Sequence, residues 1–122
     1  MARSETLVLV VDDSDDVRDV LAFLLSTAGF AVETAADGAE ALTVMHAVRP
    51  CIVVLDLVMP NVSGREFRRV QLSEPAVRDI PVIVYSAAAD VREAAAEMGA
   101  AYVEKTGEIG DLLQAIRRHC LT

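Results

Sequence analysis

"LVLVVDDSDD", residues 7–16, runs five apolar residues straight into four aspartates in five positions. No polar residue interrupts the first half, so it reads as a strand buried on both faces. The second half starts a helix. Val17, Val20, Leu21, Leu24 and Leu25 follow at helical spacing, Ser14 can cap, and Asp15 and Asp16 suit the positive helix end. Asp12 and Asp13 remain at the strand end. Crowded carboxylates are costly unless neutralised, and a bound cation is the natural neutraliser.

Outward from that stretch the pattern repeats. "FAVET" (30–34) precedes Leu42, Met45 and Val48; "IVVL" (52–55) precedes Phe67 and Val70. "VIVY" (82–85) precedes Val91, Ala94 and Met98; "AYV" (101–103) precedes Ile109, Leu112, Leu113 and Ile116. Five strand-then-helix units predict an α/β fold, a doubly wound parallel sheet in three layers, α/β/α. "DGAE" (37–40), "SGRE" (63–66) and "DVRE" (90–93) fit capping boxes, and Gly29 and Gly99 stand where left-handed caps belong. The first, third and fourth strands are unbroken apolar runs. The second carries Glu33 and Thr34, and the fifth is short and reaches Glu104, so both read as edges. The order 2-1-3-4-5 follows, with its switch point between the first and third strands.

The bulk properties narrow the function classes. The chain has 122 residues, 53% hydrophobic, with a net charge of -8. That suits one compact domain, residues 1–122, with no room for an output domain. The charge argues against direct nucleic-acid binding and against an anionic membrane surface. The longest apolar runs are about five residues, far short of a spanning helix, and the N-terminus lacks a signal peptide. These features point to the cytoplasm without membrane insertion. Cys51 and Cys120 sit in no metal or redox spacing and read as reduced, inert thiols. His46 and His119 lie away from every strand end and read as surface residues.

In open α/β sheets the site lies outside the carboxyl ends of the strands. There the sequence places Asp12 and Asp13 after the first strand, Asp56 after the third, Ser86 after the fourth and Lys105 after the fifth. Singly, each could be a cap, a turn residue or a solvated charge. Together they fall at one end of one sheet. Lys105 is also the only lysine among eleven Lys and Arg residues, which suggests a compact point charge is needed there. Oxygen-only ligands suit Mg2+, and Mg2+ with Lys is apparatus for a phosphoryl group. Asp56, alone at the central strand end, is the candidate nucleophile for an aspartyl phosphate.

With "VVDDSDDVR", "LDLVMPNVSG", "VIVYSA" and "YVEKT" in view, the chain resembles the receiver domain of bacterial two-component response regulators from Leu7 to Arg118. The resemblance implies a flavodoxin-like fold and a phosphorylation-dependent signalling switch. Its only catalysis would be its own phosphorylation and dephosphorylation. By resemblance, Asp56 accepts phosphoryl from a histidine kinase or histidine phosphotransfer protein. Asp13 ligates Mg2+ directly, Asp12 mainly through water, and Asp56 and the Val58 backbone carbonyl supply further ligands. Ser86 and Lys105 contact the phosphoryl oxygens, and Tyr102 is an aromatic switch. The readout surface for an unknown downstream protein would be the fourth helix, fifth strand and fifth helix, with Arg92, Glu97, Tyr102, Glu104, Asp111 and Arg117 exposed. The phosphodonor would dock near Val17 and Leu21. Val58 and Ala88 flank the path of an attacking water and are candidate gatekeepers of dephosphorylation. A monomer, or a weak phosphorylation-dependent dimer, is expected, either standing alone or as part of a longer protein.

One departure from the family is plain. Thr106 and Gly107 follow Lys105, where the family usually has a cis-linked proline. A non-proline cis bond costs about 2.5–4 kcal/mol, which favours a trans link and a shifted Lys105. Two rival readings stand beside this one. Asp13-x-Asp15 mimics the first motif of haloacid-dehalogenase-type phosphatases, which would leave Asp56 idle. A phosphorylation-independent scaffold would leave the whole acidic set idle.

Overall fold

The structure, a computed structural model, describes residues 4–57, 63–105 and 108–121. Strands and helices alternate: β1 (Leu7–Val11), α1 (Asp15–Thr27), β2 (Ala31–Ala35), α2 (Gly38–Val48), β3 (Ile52–Leu55), α3 (Gly64–Ser73), β4 (Val82–Ser86), α4 (Val91–Met98), β5 (Ala101–Glu104) and α5 (Ile109–Arg117). The strands form one parallel sheet in the expected order, β2-β1-β3-β4-β5. β1 and β3 are nearly devoid of exposed residues, whereas β2 and β5 are partly exposed, as edges should be.

Alternate side chains of the central strands feed two apolar cores. Leu9, Val11, Val53, Leu55 and Val84 pack with Met45, Phe67 and Ala94 on the face covered by α2, α3 and α4. Val8, Val10, Ile52, Val54 and Ile83 pack with Leu21, Leu25, Leu112 and Ile116 beneath α1 and α5. The three-layer prediction therefore holds, each layer sealed by the period-2 alternation of a strand.

Most helix ends follow the sequence signals. Ser14 accepts from the Val17 N–H (3.3 Å), Asp37 from the Glu40 N–H (2.8 Å) and Ser63 from the Glu66 N–H (3.3 Å). Gly99 closes α4 in the left-handed region, and Gly29 follows α1 with φ 104°. Asp90 departs from expectation. It makes no side-chain cap bond; its carboxylate instead meets the Arg65 guanidinium at 3.0 Å. α2 ends on Arg49 at φ 45°, a conformation unusual for a non-glycine residue. His46, facing Glu74 at 3.0 Å, and His119 both lie at the surface as expected.

The cysteines overturn the sequence reading. Cys51, at the amino end of β3, and Cys120, just past α5, are joined in a disulfide across 69 positions of sequence. Both are buried in the core under α1 and α5. Their spacing carried no signal because the fold, and not the sequence, makes them neighbours.

A second buried feature joins α3 to α4. Arg68 donates to the Met98 and Gly99 carbonyls (3.0 and 3.2 Å) and to Gln71 Oε1 (2.8 Å). Gln71 Nε2 in turn donates to the Val77 and Ile80 carbonyls (3.0 and 2.9 Å). Burial pushes the Arg68 guanidinium pKa below its ordinary value. Its charge is met by carbonyl dipoles at the negative end of α4.

Candidate functional site

Backbone bonds bring the strand ends level. The Asp56 N–H donates to the Val11 carbonyl (2.9 Å), the Asp12 N–H to the Ala35 carbonyl (3.2 Å), and the Lys105 N–H to the Ser86 carbonyl (3.1 Å). Asp12, Asp56 and Lys105 are thus each the first position past a strand, while Ser86 is the last residue of β4. Carboxylate oxygens of Asp12, Asp13 and Asp56 lie within 4.8 Å of one another. Lys105 Nζ stands 2.8 Å from Asp12 Oδ2 and 3.9 Å from Asp56 Oδ1. Ser86, buried, uses its Oγ to accept from the Ala88 N–H at 3.2 Å.

The three carboxylates differ in surroundings. Asp12 is almost fully buried and committed on both oxygens, Oδ1 to the Ser14 N–H (3.0 Å) and Oδ2 to Lys105. Asp13 is exposed, and Asp56 is intermediate. The Asp56 carboxyl is raised above its ordinary pKa, chiefly by burial and further by Asp12 and Asp13, against the opposing pull of Lys105 and the Leu57 N–H. An all-oxygen donor set of this charge and compactness fits a hard divalent cation such as Mg2+.

Two residues here escaped the sequence reading. Arg18, nearly buried, donates to the Asp12 carbonyl at 2.7 Å and pairs with Asp15. It lies one helical turn past the cap Ser14, but nothing in its spacing singled it out. Gly64 opens α3 against the site. A Cβ there would meet the Asp56 carbonyl oxygen at 2.8 Å, so only glycine lets the helix approach the turn that carries Asp56. The pairing of Asp15 with Arg18 on an exposed helix face weakens the dehalogenase-type reading, which needs Asp15 as a catalytic group. Val58, Thr106 and Gly107 lie outside the described residues, and with them the proposed carbonyl ligand, one gatekeeper and the Lys105–Thr106 link.

The sequence model of the response regulator receiver domain matches residues 8–117. The chain belongs to this family. Among curated relatives, it is similar to the response regulator MprA of Mycolicibacterium vanbaalenii, 40% identical over 90% of this chain and 48% of that protein. It also resembles part of the CAI-1 autoinducer sensor kinase/phosphatase CqsS of Vibrio cholerae, 40% identical over 70% of this chain and 12% of that protein. The chain thus spans less than half the length of these relatives. Among solved structures, the chemotaxis protein CheY4 of Vibrio cholerae superposes with a TM-score of 0.83 at 29% identity, over 97% of this chain and 99% of the other. The response regulator TrrA of Thermotoga maritima, solved in complex with Mg(2+)-BeF, gives 0.83 at 28% identity over 93% and 97%. Receiver domains take phosphoryl from histidine kinases and bind Mg2+ in an acidic pocket. Among the described residues, no helix is long and apolar enough to cross a membrane.

Proposed function

We propose that Asp56 is the phosphoacceptor of a cytoplasmic switch charged by a histidine kinase or histidine phosphotransfer protein. The observation that carries this reading is the convergence of Asp12, Asp13, Asp56 and Lys105 at one end of the sheet. An Asp56 oxygen attacks the phosphorus of a phosphohistidine; a P–O bond forms, the P–N bond breaks, and the imidazole leaves. Mg2+, when bound, would offset the charge on the acceptor and phosphoryl oxygens. Asp13, the exposed member of the set, would hold the ion directly. Asp12, with both oxygens engaged, would act through water, and Asp56 and, by the family resemblance, the Val58 carbonyl would supply further ligands. Lys105 is close enough to both Asp12 and Asp56 to reach a phosphoryl oxygen, and the Ser86 hydroxyl proton can turn toward one.

The donor's docking place is a groove of about 420 Å3 running from the site along α1, lined by Val17, Val20, Leu21, Leu24, Tyr85 and Ile109, with Lys105 at the site end. Val20 is 56% exposed beside it, and Phe23, 69% exposed on the same helix, extends the apolar surface. The readout face is α4–β5–α5. Arg92, Glu97, Glu104, Asp111 and Arg117 are all exposed on it, and Tyr102 is 40% exposed. A cavity of about 200 Å3 lined by Ser86, Ala87, Ala88, Ala89 and Glu104 lies at the end of β5 where Tyr102 would turn inward. Taking such a switch from mostly inactive to mostly active requires about 5.5 kcal/mol of preference, within reach of several charge-assisted bonds to one phosphoryl group.

Incubation with acetyl phosphate and Mg2+, followed by mass spectrometry, tests the assignment. Label is expected on Asp56 and absent from Asp56→Ala; label that persists in that variant overturns it. If Val58 and Ala88 govern water access, Ala88→Glu should hasten loss of label while Mg2+ affinity stays unchanged. Equal decay rates would remove the gatekeeper role from Ala88.

A further inference from the structure

At the far end of the sheet the Cys51–Cys120 bond ties the amino end of β3 to the segment that follows α5. α5 depends on that tie. It is nine residues long and has no side-chain N-cap bond, and a helix so short has little stability of its own. Its anchors are Leu112 and Ile116 in the core, with Ile109, Leu113 and Ala115 partly buried against it, and, beyond its last turn, Cys120. The segment after it is otherwise held to the body of the domain by one described backbone bond, from the Leu121 N–H to the Glu5 carbonyl at 2.6 Å. Cys51, though 3% exposed, forms part of the wall of a surface cleft. The cleft, of about 390 Å3 and lined by Ser4, Glu5, Cys51, His119 and Leu121, opens beside Cys51, with Leu121 largely exposed at its rim.

We infer that Cys51 and Cys120 form a reversible redox site, a thiol–disulfide couple that exchanges with small thiols and sets how firmly α5 is docked. The inference rests on the proposed cytoplasmic setting, where disulfides are mostly transient, catalytic or redox-sensing, and on the proposed use of α5 as part of the readout face. The cleft decides the direction of attack. A small-molecule thiolate reaches Cys51 Sγ, forms a mixed disulfide there, and expels Cys120 as a thiolate, which takes a proton from water. A second small thiolate attacks the outer sulfur, releasing Cys51 thiolate and the small-molecule disulfide. Two electrons pass from the two small thiols to the protein bond. An oxidised small-molecule disulfide runs the sequence backwards. Reduction leaves the carboxyl end of α5 held by non-covalent packing only, chiefly that of Leu112 and Ile116.

The test uses the whole chain in buffers of reduced and oxidised glutathione. The disulfide fraction is read by alkylation and mass spectrometry, and amide exchange over residues 109–121 is followed by mass spectrometry on the same samples. The fraction oxidised should follow the glutathione ratio reversibly, and exchange over α5 should quicken at least tenfold on reduction while β1 and β3 stay protected. Cys120→Ala should exchange like the reduced protein in every buffer. Wild-type reduction makes the same comparison without a substitution, so a poorly folding variant leaves the test intact. The inference is overturned if both thiols alkylate fully in oxidising buffer, if the bond yields only when the sheet unfolds, or if α5 exchanges equally in the two forms. None of these readouts involves phosphoryl transfer, so failure here and failure of the Asp56 assignment are separate results.

Discussion

At the carboxyl ends of β1 and β3, Asp12, Asp13 and Asp56 crowd like charges around a single lysine. At the amino end of β3, Cys51 is bonded to Cys120 among apolar side chains. The same strand therefore runs from a neutral, disulfide-tied base to a charged rim that Lys105 and backbone dipoles offset in part. The base contributes through apolar contacts and the Cys51–Cys120 bond, the rim through its charges. The rim can bind a cation because it gathers three carboxylates; the raised Asp56 pKa comes chiefly from burial, with Asp12 and Asp13 adding to it.

The comparison can be broken from either end. The largest effect is expected at the rim. Asp13→Asn should abolish the Mg2+ dependence of labelling at Asp56 and lower Mg2+ affinity by at least tenfold, as titration calorimetry would show, with little change in melting temperature. At the base, joint replacement of Cys51 and Cys120 by alanine should cost about 2–5 kcal/mol in denaturant unfolding and leave Mg2+ affinity unchanged. Loss of Mg2+ binding there would mean the two ends are not separable.

Smaller effects sharpen the contrast. Asp56 has a folded pKa above its unfolded one, so the folded state binds more protons between those two values and stability falls as pH rises through that window. Asp56→Asn removes this loss. It should raise the melting temperature at neutral pH and confer no such gain at acid pH below the unfolded carboxylate range. An equal gain at both pH values would mean that burial and like charge are not the cause. Least of all, Ser14→Ala should cost about 1 kcal/mol through the lost α1 cap.

Much of this was legible in residue order. Unbroken apolar runs marked the central strands, Glu33 and Glu104 marked the edges, and the strand ends named Asp12, Asp13, Asp56, Ser86 and Lys105 before any coordinates. What escaped notice depends on contacts between distant segments. Cys51 and Cys120 meet only because β3 and α5 share a face of the sheet. Arg18 matters through a backbone carbonyl, which has no sequence identity. Asp90 had the composition of a cap, but Arg65 on a neighbouring helix offered its carboxylate a charged partner at 3.0 Å. A local rule lost there to a tertiary one.

The buried guanidinium of Arg68 has a mechanical consequence. It grips the last carbonyls of α4, those of Met98 and Gly99, with two hydrogen bonds, and a third to Gln71 on its own helix holds it in place. The other end of that helix is restrained at the surface by Arg65 through Asp90, and exposed pairs of this kind are worth about 0–1 kcal/mol. A rod fastened firmly at one end and loosely at the other does not slide; it swings. With eight residues α4 is a lever arm of about 12 Å. Val91 and Ala94 keep its first turn in the core, so a push from the Ser86–Asp90 loop is expected to turn the helix about Gly99 and not to shift it along its axis.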